Sequence, residues 1–395
     1  MKDGWEKKKV SEIANHSLGK MLDKAKNKGE PKPYLRNQNV RWFDFDLSDV
    51  LEMRFLPEEE AKYTAVKGDV LICEGGYPGR AAIWQQDEPI FFQKALHRVR
   101  FHKPESNKWF LYYLRSKDLD GTLKSHFNGA GIQHFTGEAL AQFEVPLPPI
   151  PQQQRIVAIL DETFDGIATA KANAEKNLQN ARALFESHLQ SVFTERGEGW
   201  VETTIGQCIK FIDYRGKTPE KTNRGLRLIT AKNVKMGYVQ ESPMEFVAPE
   251  SYDGWMTRGI PRLGDVLFTT EAPLANVAQL DTDEKVVFAQ RIIIMQPDAA
   301  KLDSTFLKYL LLSQPVQQRI RIKGTGATVQ GIKASLLKTI EISFPSELLP
   351  QREIVAKLDA LREKSQRLES LYQQKLTALD DLKKSLLHQA FSGAL

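Results

Sequence analysis

The segment QQQRIVAILDE at 152–162 returns almost unchanged as PQREIVAKLDA at 350–360, 198 residues later in a chain of 395. A segment written twice constrains the fold more than any composition, because an overlooked repeat misassigns every element around it. The duplication extends along the chain. GWEKKKVSEI (4–13) answers GWVETTIGQC (199–208), with Val10 against Ile205 and Ile13 against Cys208. YLRNQNV (34–40) answers LITAKNV (228–234), KGDVLI (67–72) answers LGDVLF (263–268), and QKALHRV (93–99) answers QRIIIMQ (290–296). QHFTGEALAQFEVPLP (133–148) answers QGIKASLLKTIEISFP (330–345), and SHLQSVFT (187–194) answers SLLHQAFS (385–392). One Gly-Asp turn into an apolar run is common. Six collinear matches, at an offset that drifts only between 194 and 198, are not chance.

Within each half the character changes sharply. Residues 1–151 and 196–349 mix short apolar runs such as AVKGDVLIC and KVVFAQRIIIMQ with Gly and Pro punctuation, the pattern of mixed α/β domains. WFLYYLRS (109–116) and TFLKYLLLS (305–313) are their clearest helices, at equivalent places. After PLPPIP (146–151) and FPSELLP (344–350) the punctuation gives way to two helical segments, 152–195 and 350–395. Proline suits a helix start because its missing N–H would lack a partner there anyway. In the first segment Val157, Leu160, Phe164, Ile167, Ala174, Leu178, Ala181, Phe185 and Val192 follow steps of three and four, with Lys171 and His188 as interruptions. In the second, Ile354, Leu358, Leu361, Leu368, Tyr372, Leu379, Leu382 and Leu386 do so, with Ser365 and Lys375 off the pattern. Two amphipathic helices, each with one seam, are the elements of a coiled coil. At about 1.5 Å per residue each spans roughly 60 Å.

The totals exclude several classes. A chain of 395 residues exceeds what one core usually organises. Lys and Arg exceed Asp and Glu by only five, so any anionic partner must be met by local patches. Cys73 and Cys208 are too few for a metal site or disulfide framework, which fits a reducing cytoplasm. The start MKDGWEKKKV has no apolar leader segment, and no apolar run reaches the length of a membrane span. RGKTP (215–219) mimics the end of a phosphate-binding loop, but Phe211 stands where the first glycine is required. GAG (129–131) and GTG (324–326) are too short for a dinucleotide fingerprint. The seven histidines form no metal-binding pair, and Glu58, Glu59 and Glu60 read as a solvated run. No Asn/Asp-Pro-Pro-Tyr/Phe motif, of the kind that holds a flipped adenine, occurs.

Two similar domains on a rigid rod suit a target with two similar parts at a fixed separation. Duplex DNA is such a target, because its half-sites recur on one face about every 34 Å. A duplicated coiled-coil scaffold or adaptor binding protein or glycan is the alternative. The order of domain, PLPPIPQQQRIVAILD helix, SVFTERGEGW, second domain, FPSELLPQREIVAKLDAL helix and HQAFSGAL resembles the DNA specificity subunit of Type I restriction-modification systems. The resemblance covers the whole chain and includes GDVLICEGGYPGRAAIW and GDVLFTTEAPLANVA within the domains. It implies two target recognition domains, each reading one half of a bipartite DNA site. It also implies long helices that pair antiparallel, set the spacer, and dock two modification subunits. Two restriction subunits complete such a complex. The recognition subunit itself is non-catalytic and binds no cofactor; S-adenosylmethionine, ATP and Mg2+ belong to the partner subunits, with adenine methylation and ATP-dependent cleavage. The domains differ widely between matched segments, so the site is expected to be asymmetric.

Base edges are read by Arg, Lys, Asn, Gln and sometimes Glu, and phosphates take Lys, Arg and small polar donors. Four loops per domain offer these types. The first domain presents Arg36, Asn37, Asn39 and Arg41; Glu74, Tyr77 and Arg80; Gln93 and Lys94; and Lys124, Asn128, Gln133 and His134. The second presents Thr230, Lys232, Asn233 and Lys235; Thr269, Thr270, Glu271 and Asn276; Gln290 and Arg291; and Lys323, Thr325, Thr328, Gln330 and Lys333. Asn39 and Asn233 occupy matching positions and could instead hold a turn. A feature shared by both domains points to scaffold or phosphate contact, and one that differs points to base readout. That rule favours Tyr77, Arg80 and His134 in one domain and Thr270, Glu271 and Gly331 in the other. The basic run 21–32 reads as a solvated loop rather than a phosphate clamp. Apolar residues off the seams, with Phe193 and Phe391 near the helix ends, are the expected docking surface for the modification subunits.

Overall fold

The run AVKGDVLIC is apolar without alternation because both faces of its strand are covered, each by a different core. In the computed structural model, which describes residues 4–23, 25–214, 218–289, 291–326 and 330–395, the strand Val70–Cys73 is buried throughout. Val70 and Ile72 join a cluster with Trp109 and Phe110, and Leu71 and Cys73 join one with Leu35 and Phe92. The chain divides into two units, Met1–Glu175 with Gln373–Leu395, and Lys176–Tyr372.

In the first unit an antiparallel sheet orders Ala14–Leu18, Leu96–Phe101, Val70–Cys73 and Ala81–Ile83. A second sheet orders Leu51–Phe55, Glu30–Leu35, Ile90–Phe92 and Thr64–Ala65, with Tyr34 and Leu35 running parallel to Phe91 and Phe92. Glu6–Lys9 pairs with Glu144–Leu147. Helix α1 (Ser106–Leu119) buries Trp109, Phe110 and Leu114 in the core of the first sheet, and helix α2 (Ile150–Thr194) adds Ile156 and Leu160.

The second unit repeats this plan. Its first sheet orders Ile209–Asp213, Ile292–Pro297, Val266–Thr269 and Val277–Gln279. Its second orders Glu245–Val247, Leu226–Ile229 and Val287–Phe288, with the same parallel pairing of the last two. Trp200–Thr204 pairs with Glu341–Pro345. Helix α3 (Ser304–Leu312) takes the place of α1, and helix α4 (Leu348–Ser392) that of α2. Val234–Lys235 and Tyr238–Val239 form a hairpin where the first unit has a single antiparallel bridge between Val40 and Phe45, and Arg362 of α4 donates to Gly237 O at 3.0 Å.

Each unit holds a stretch of both long helices, packed antiparallel. In the first unit Lys383 lies over the Phe164 ring at 4.5 Å and Lys171 pairs with Asp380 at 2.7 Å. In the second, Arg182 pairs with Glu369 at 3.0 Å, and the Arg362 guanidinium lies 6.0 Å from the Phe185 ring centre. The seams depart from the heptad reading at four places. Lys171 is used across the pair instead of interrupting it, and Ser365 is buried. Leu189 is buried where the pattern reached His188, and the half-buried Lys383 takes the place of the exposed Leu382. Each of the last two is a shift by one residue, the drift of a helix with 3.6 residues per turn against a 3.5 repeat.

The repeated segment now has a physical reason. Gln153 is buried and donates to Pro148 O at 2.8 Å; Gln351 is buried and donates to Pro345 O and Lys301 O at 2.8 Å. Leu160 and Leu358 fill the cores. Asp161 accepts from Tyr112 Oη at 2.6 Å and Lys108 Nζ at 2.5 Å, and Asp359 accepts from Tyr309 Oη. The motif therefore caps the loop before the long helix, fills the core, and ties the long helix to α1 or α3. Burial, then the adjoining carboxylate, holds both tyrosine hydroxyls protonated well above their ordinary range.

Phe193 and Phe391 close the units from the far ends of the long helices, which corrects their reading as a docking surface. Phe193 is 5% exposed and meets Phe306 at 5.4 Å and Trp200 at 6.3 Å. Phe391 is half-buried against Trp109 at 4.7 Å and Tyr113 at 5.2 Å. Aromatic side chains contribute their large apolar area to whatever core they enter, and these two enter their own units.

Candidate nucleic-acid interface

The turn after each parallel strand is held by an asparagine. Asn39 is buried; its Oδ1 accepts from Arg36 N at 2.9 Å, and its Nδ2 donates to Asp46 O at 2.9 Å and Asp49 O at 3.0 Å. Asn233 is buried; its Oδ1 accepts from Thr230 N at 3.0 Å and Thr230 Oγ1 at 2.9 Å. Its Nδ2 donates to Gln240 O, Glu241 O and Pro243 O at 3.0–3.3 Å. Both amides are fully used by the turn, so neither presents an edge to a base. The turn-holding reading is the correct one, and Thr230 shares in it.

In the first unit the four nominated loops are joined to one another. Asn37 Nδ2 donates to Gly75 O at 3.0 Å, and Arg80 donates back to Asn37 O at 2.9 Å. Glu74 N donates to Ala95 O, Phe135 N to Glu74 O at 2.8 Å, and Gln93 N to Leu35 O. His134 Nδ1 lies 3.4 Å from Glu74. Gly76 sits at φ +77, where a Cβ would also come within 2.3 Å of Asn37 Nδ2, so the second glycine of EGGYPGR suits this turn. The exposed Tyr77 ring stacks on the Arg80 guanidinium at 4.0 Å. Arg36 is committed to Asp49 at 2.7 Å and Arg41 to Asp46 at 3.0 Å. Asn128 Nδ2 donates to Thr136 Oγ1. Lys94, Lys124 and Gln133 are exposed, and their side chains are unpaired among the described residues; Gln93 is half-buried. Burial pushes the Cys73 thiol up to about 11, which removes it as a nucleophile.

The second unit joins its loops at the same places with different side chains. Thr270 N donates to Arg291 O and Ile332 N to Thr270 O, both at 2.9 Å, and Asn276 Nδ2 donates to Val234 O. Glu271 pairs with Arg291 at 2.9 Å. Arg291 has φ +77, an uncommon conformation for a side chain of its size, of the kind that clusters at functional sites. Thr269 and Thr270 are buried, and their hydroxyls are spent on Pro273 O and Arg291 O, so neither hydroxyl faces outward from the loop. Lys323 donates to Thr339 at 2.9 and 2.7 Å instead of pointing outward. Lys232, Thr325, Gln330 and Lys333 are exposed and Lys235 half-buried. Gln290 and Thr328 lie outside the described residues, as do Lys24 in the basic run and Arg215, Gly216 and Lys217 of RGKTP.

Two further features emerge. Ile132 is 74% exposed between Gly131 and the nominated Gln133, an apolar side chain that a search for polar types alone passes over. Glu59, taken as solvated, pairs with Lys20 at 2.5 Å and accepts from Leu56 N at 2.9 Å, a structural carboxylate. Among the described residues no group of three or more His, Cys, Asp and Glu side chains could hold a metal ion, and no helix is long and apolar enough to cross a membrane.

The profile of the family described as Type I restriction modification DNA specificity domain matches residues 2–179 and 257–378. The chain is 22% identical to the Type I restriction enzyme MjaVIII specificity subunit of Methanocaldococcus jannaschii, over 91% of this chain and 86% of that one. It is 21% identical to the Type I restriction enzyme EcoBI specificity subunit of Escherichia coli, over 100% and 86%. In fold it is similar to the HsdS subunit from Thermoanaerobacter tengcongensis, with TM-score 0.66, 18% identity, and coverage of 100% and 98%. It is similar also to a chain from a structure explaining complex assembly and conformational transition of the type I R-M system, with TM-score 0.79, 18% identity, and coverage of 100% and 99%.

Proposed function

The chain belongs to the Type I restriction modification DNA specificity family, and from that membership we propose that it is the sequence-reading subunit of such a system. Each unit reads one half of an asymmetric, bipartite duplex site. The observation that carries this reading is the convergence of four sequence-distant loops in each unit, on matching frames that expose different side chains. A protein that reads two different half-sequences needs that combination. Tyr77, Arg80 and His134, and Glu271 and Arg291, are the residues assigned to bases. Lys94, Lys124, Lys232 and Lys333 are assigned to phosphates, where each lysine contributes salt-dependent affinity without sequence preference.

The subunit assembles with two modification and two restriction subunits. S-adenosylmethionine, ATP and Mg2+ bind on those partners, and methylation and cleavage are their chemistry. This chain supplies no catalytic group, acts on double-stranded DNA in the cytoplasm, and fixes the spacer through its two helices of 45 residues. The test is selection from randomised duplexes, followed by footprinting, with the complex of this chain and its modification subunits. Two protected tracts of different sequence are expected; a single tract, or none, overturns the reading. The pure chain with DNA, Mg2+, ATP and S-adenosylmethionine is expected to transfer no methyl group and cut no strand.

A further inference from the structure

We propose that Gln133 and Gln330 are equivalent base-reading residues, each recognising one adenine from the major groove, so that two otherwise different half-sites share an adenine at matching positions. The inference rests on the DNA-reading function proposed above. Both glutamines sit on hairpins closed in the same way. Asn128 and His134 exchange backbone hydrogen bonds of 2.8 Å, and Thr325 and Gly331 exchange bonds of 2.8 and 2.9 Å. Gly129 and Gly326 open the two hairpins at φ +115 and +116. The residue after each bridge is anchored to the loop that follows the central strand, Phe135 to Glu74 and Ile332 to Thr270. Ala327, Thr328 and Val329 lie outside the described residues, so the correspondence in the second hairpin is carried by its two ends.

The frame uses only backbone at these positions. Both glutamine side chains are exposed, and neither has a partner among the described residues. A residue shared by both units points first to scaffold or phosphate contact, but a scaffold role would consume the amide, as the turns consume those of Asn39 and Asn233. A phosphate role falls more naturally to the cations nearby in sequence, Lys124 in one unit and Lys333 in the other. What remains is the pairing that a free primary amide makes best: Oε1 accepts from adenine N6–H while Nε2 donates to N7. The exposed Ile132 beside Gln133 adds an apolar contact for the thymine methyl, which an A·T pair also places in the major groove. The neighbours differ, His134 against Gly331, so the bases around each shared adenine differ too.

The complex with modification subunits is carried through selection on randomised duplexes as wild type, Gln133→Ala, Gln330→Ala and Gln133→Glu. Gln133→Ala should relax one adenine position in one half-site, with discrimination falling on the order of 10- to 100-fold, and Gln330→Ala one adenine in the other. Gln133→Glu should move that position toward cytosine, whose N4 amino group a carboxylate accepts. An unchanged motif overturns the assignment, as does relaxation at a base other than adenine. A uniform loss across sequences with a shallower salt dependence overturns it in favour of a phosphate contact. A wild-type complex that selects no two-part motif overturns the DNA-reading function along with it.

Discussion

The two units are one frame carrying two sets of exposed side chains. Asn39 and Asn233 hold the same turn, Gln153 and Gln351 cap the same loop, and Asp161 and Asp359 receive a tyrosine from the same helix. Above that frame they diverge: Tyr77 stacks on Arg80 in one, and Glu271 pairs with Arg291 in the other. Buried polar groups left unsatisfied cost stability, so the residues that satisfy the frame are not at liberty to change. The exposed ones are, and a duplicated frame can therefore carry two specificities.

The sharpest way to break the symmetry is to open one unit. Phe193→Ala removes a buried ring from the second unit's core and should cost that unit about 3–5 kcal/mol. Phe391→Ala removes a half-buried ring from the first and should cost roughly half as much. Hydrogen exchange resolved by segment should show protection lost around Phe306 in one variant and around Trp109 in the other. Equal loss in both units would mean that the frames do not stand independently.

A milder break is made at the turns. Asn233 Oδ1 accepts two hydrogen bonds, and its two N–H groups are shared among three carbonyls, whereas Asn39 accepts one and donates two, so Asn233→Ala should be the more costly, each by about 1–3 kcal/mol. Denaturant midpoints of the two variants test the order. Neither should alter base preference at a single position, because neither amide is free to read one.

These asparagines mark the boundary of what the sequence discloses. The duplication, the apolar strands and the two long helices were legible, because each is a periodic pattern over neighbouring residues. The equivalence of the nominated loops in the two halves was legible, since repeats fix equivalent places; their convergence was not. Nor was the fate of individual side chains. Thr269, Thr270 and Lys323 look like the exposed Lys94 and Gln133 in sequence, yet they turn inward to carbonyls whose positions depend on the folded loop. Phe193 and Phe391 misled for a related reason: an apolar residue off one seam can belong to another core.

The tyrosine ties test the frame by pH. Tyr112 and Tyr309 have folded-state values raised by burial and then by Asp161 or Asp359. A raised value means stability that is complete below the unfolded value of about 10 and is lost as pH rises toward the folded one. The wild type should therefore weaken above about pH 10. Tyr112→Phe should flatten that loss in the first unit and Tyr309→Phe in the second, each with a cost near neutrality of about 1–2 kcal/mol for the hydrogen bond to a carboxylate. Urea midpoints between pH 8 and 11 read both effects; parallel curves for variant and wild type would assign the alkaline loss to other groups.

The smallest effect separates the helix contacts. Lys171 is one-third exposed and bonds Asp380, whereas Arg182, opposite Glu369, is 61% exposed. The hydrogen bond and charge of Lys171 hold the Asp380 carboxyl below its usual range. A lowered value gives stability that is present above the unfolded carboxylate value and is lost as pH falls through the folded one. Lys171→Ala should therefore cost up to about 1 kcal/mol at pH 7, nothing once Asp380 is protonated, and less as salt is raised. Arg182→Ala should cost about half that or less, because two long side chains in water recover little from their attraction. If the two costs were equal, and equally insensitive to acid, Lys171 would be only a solvated break in the seam, as the sequence pattern alone suggested.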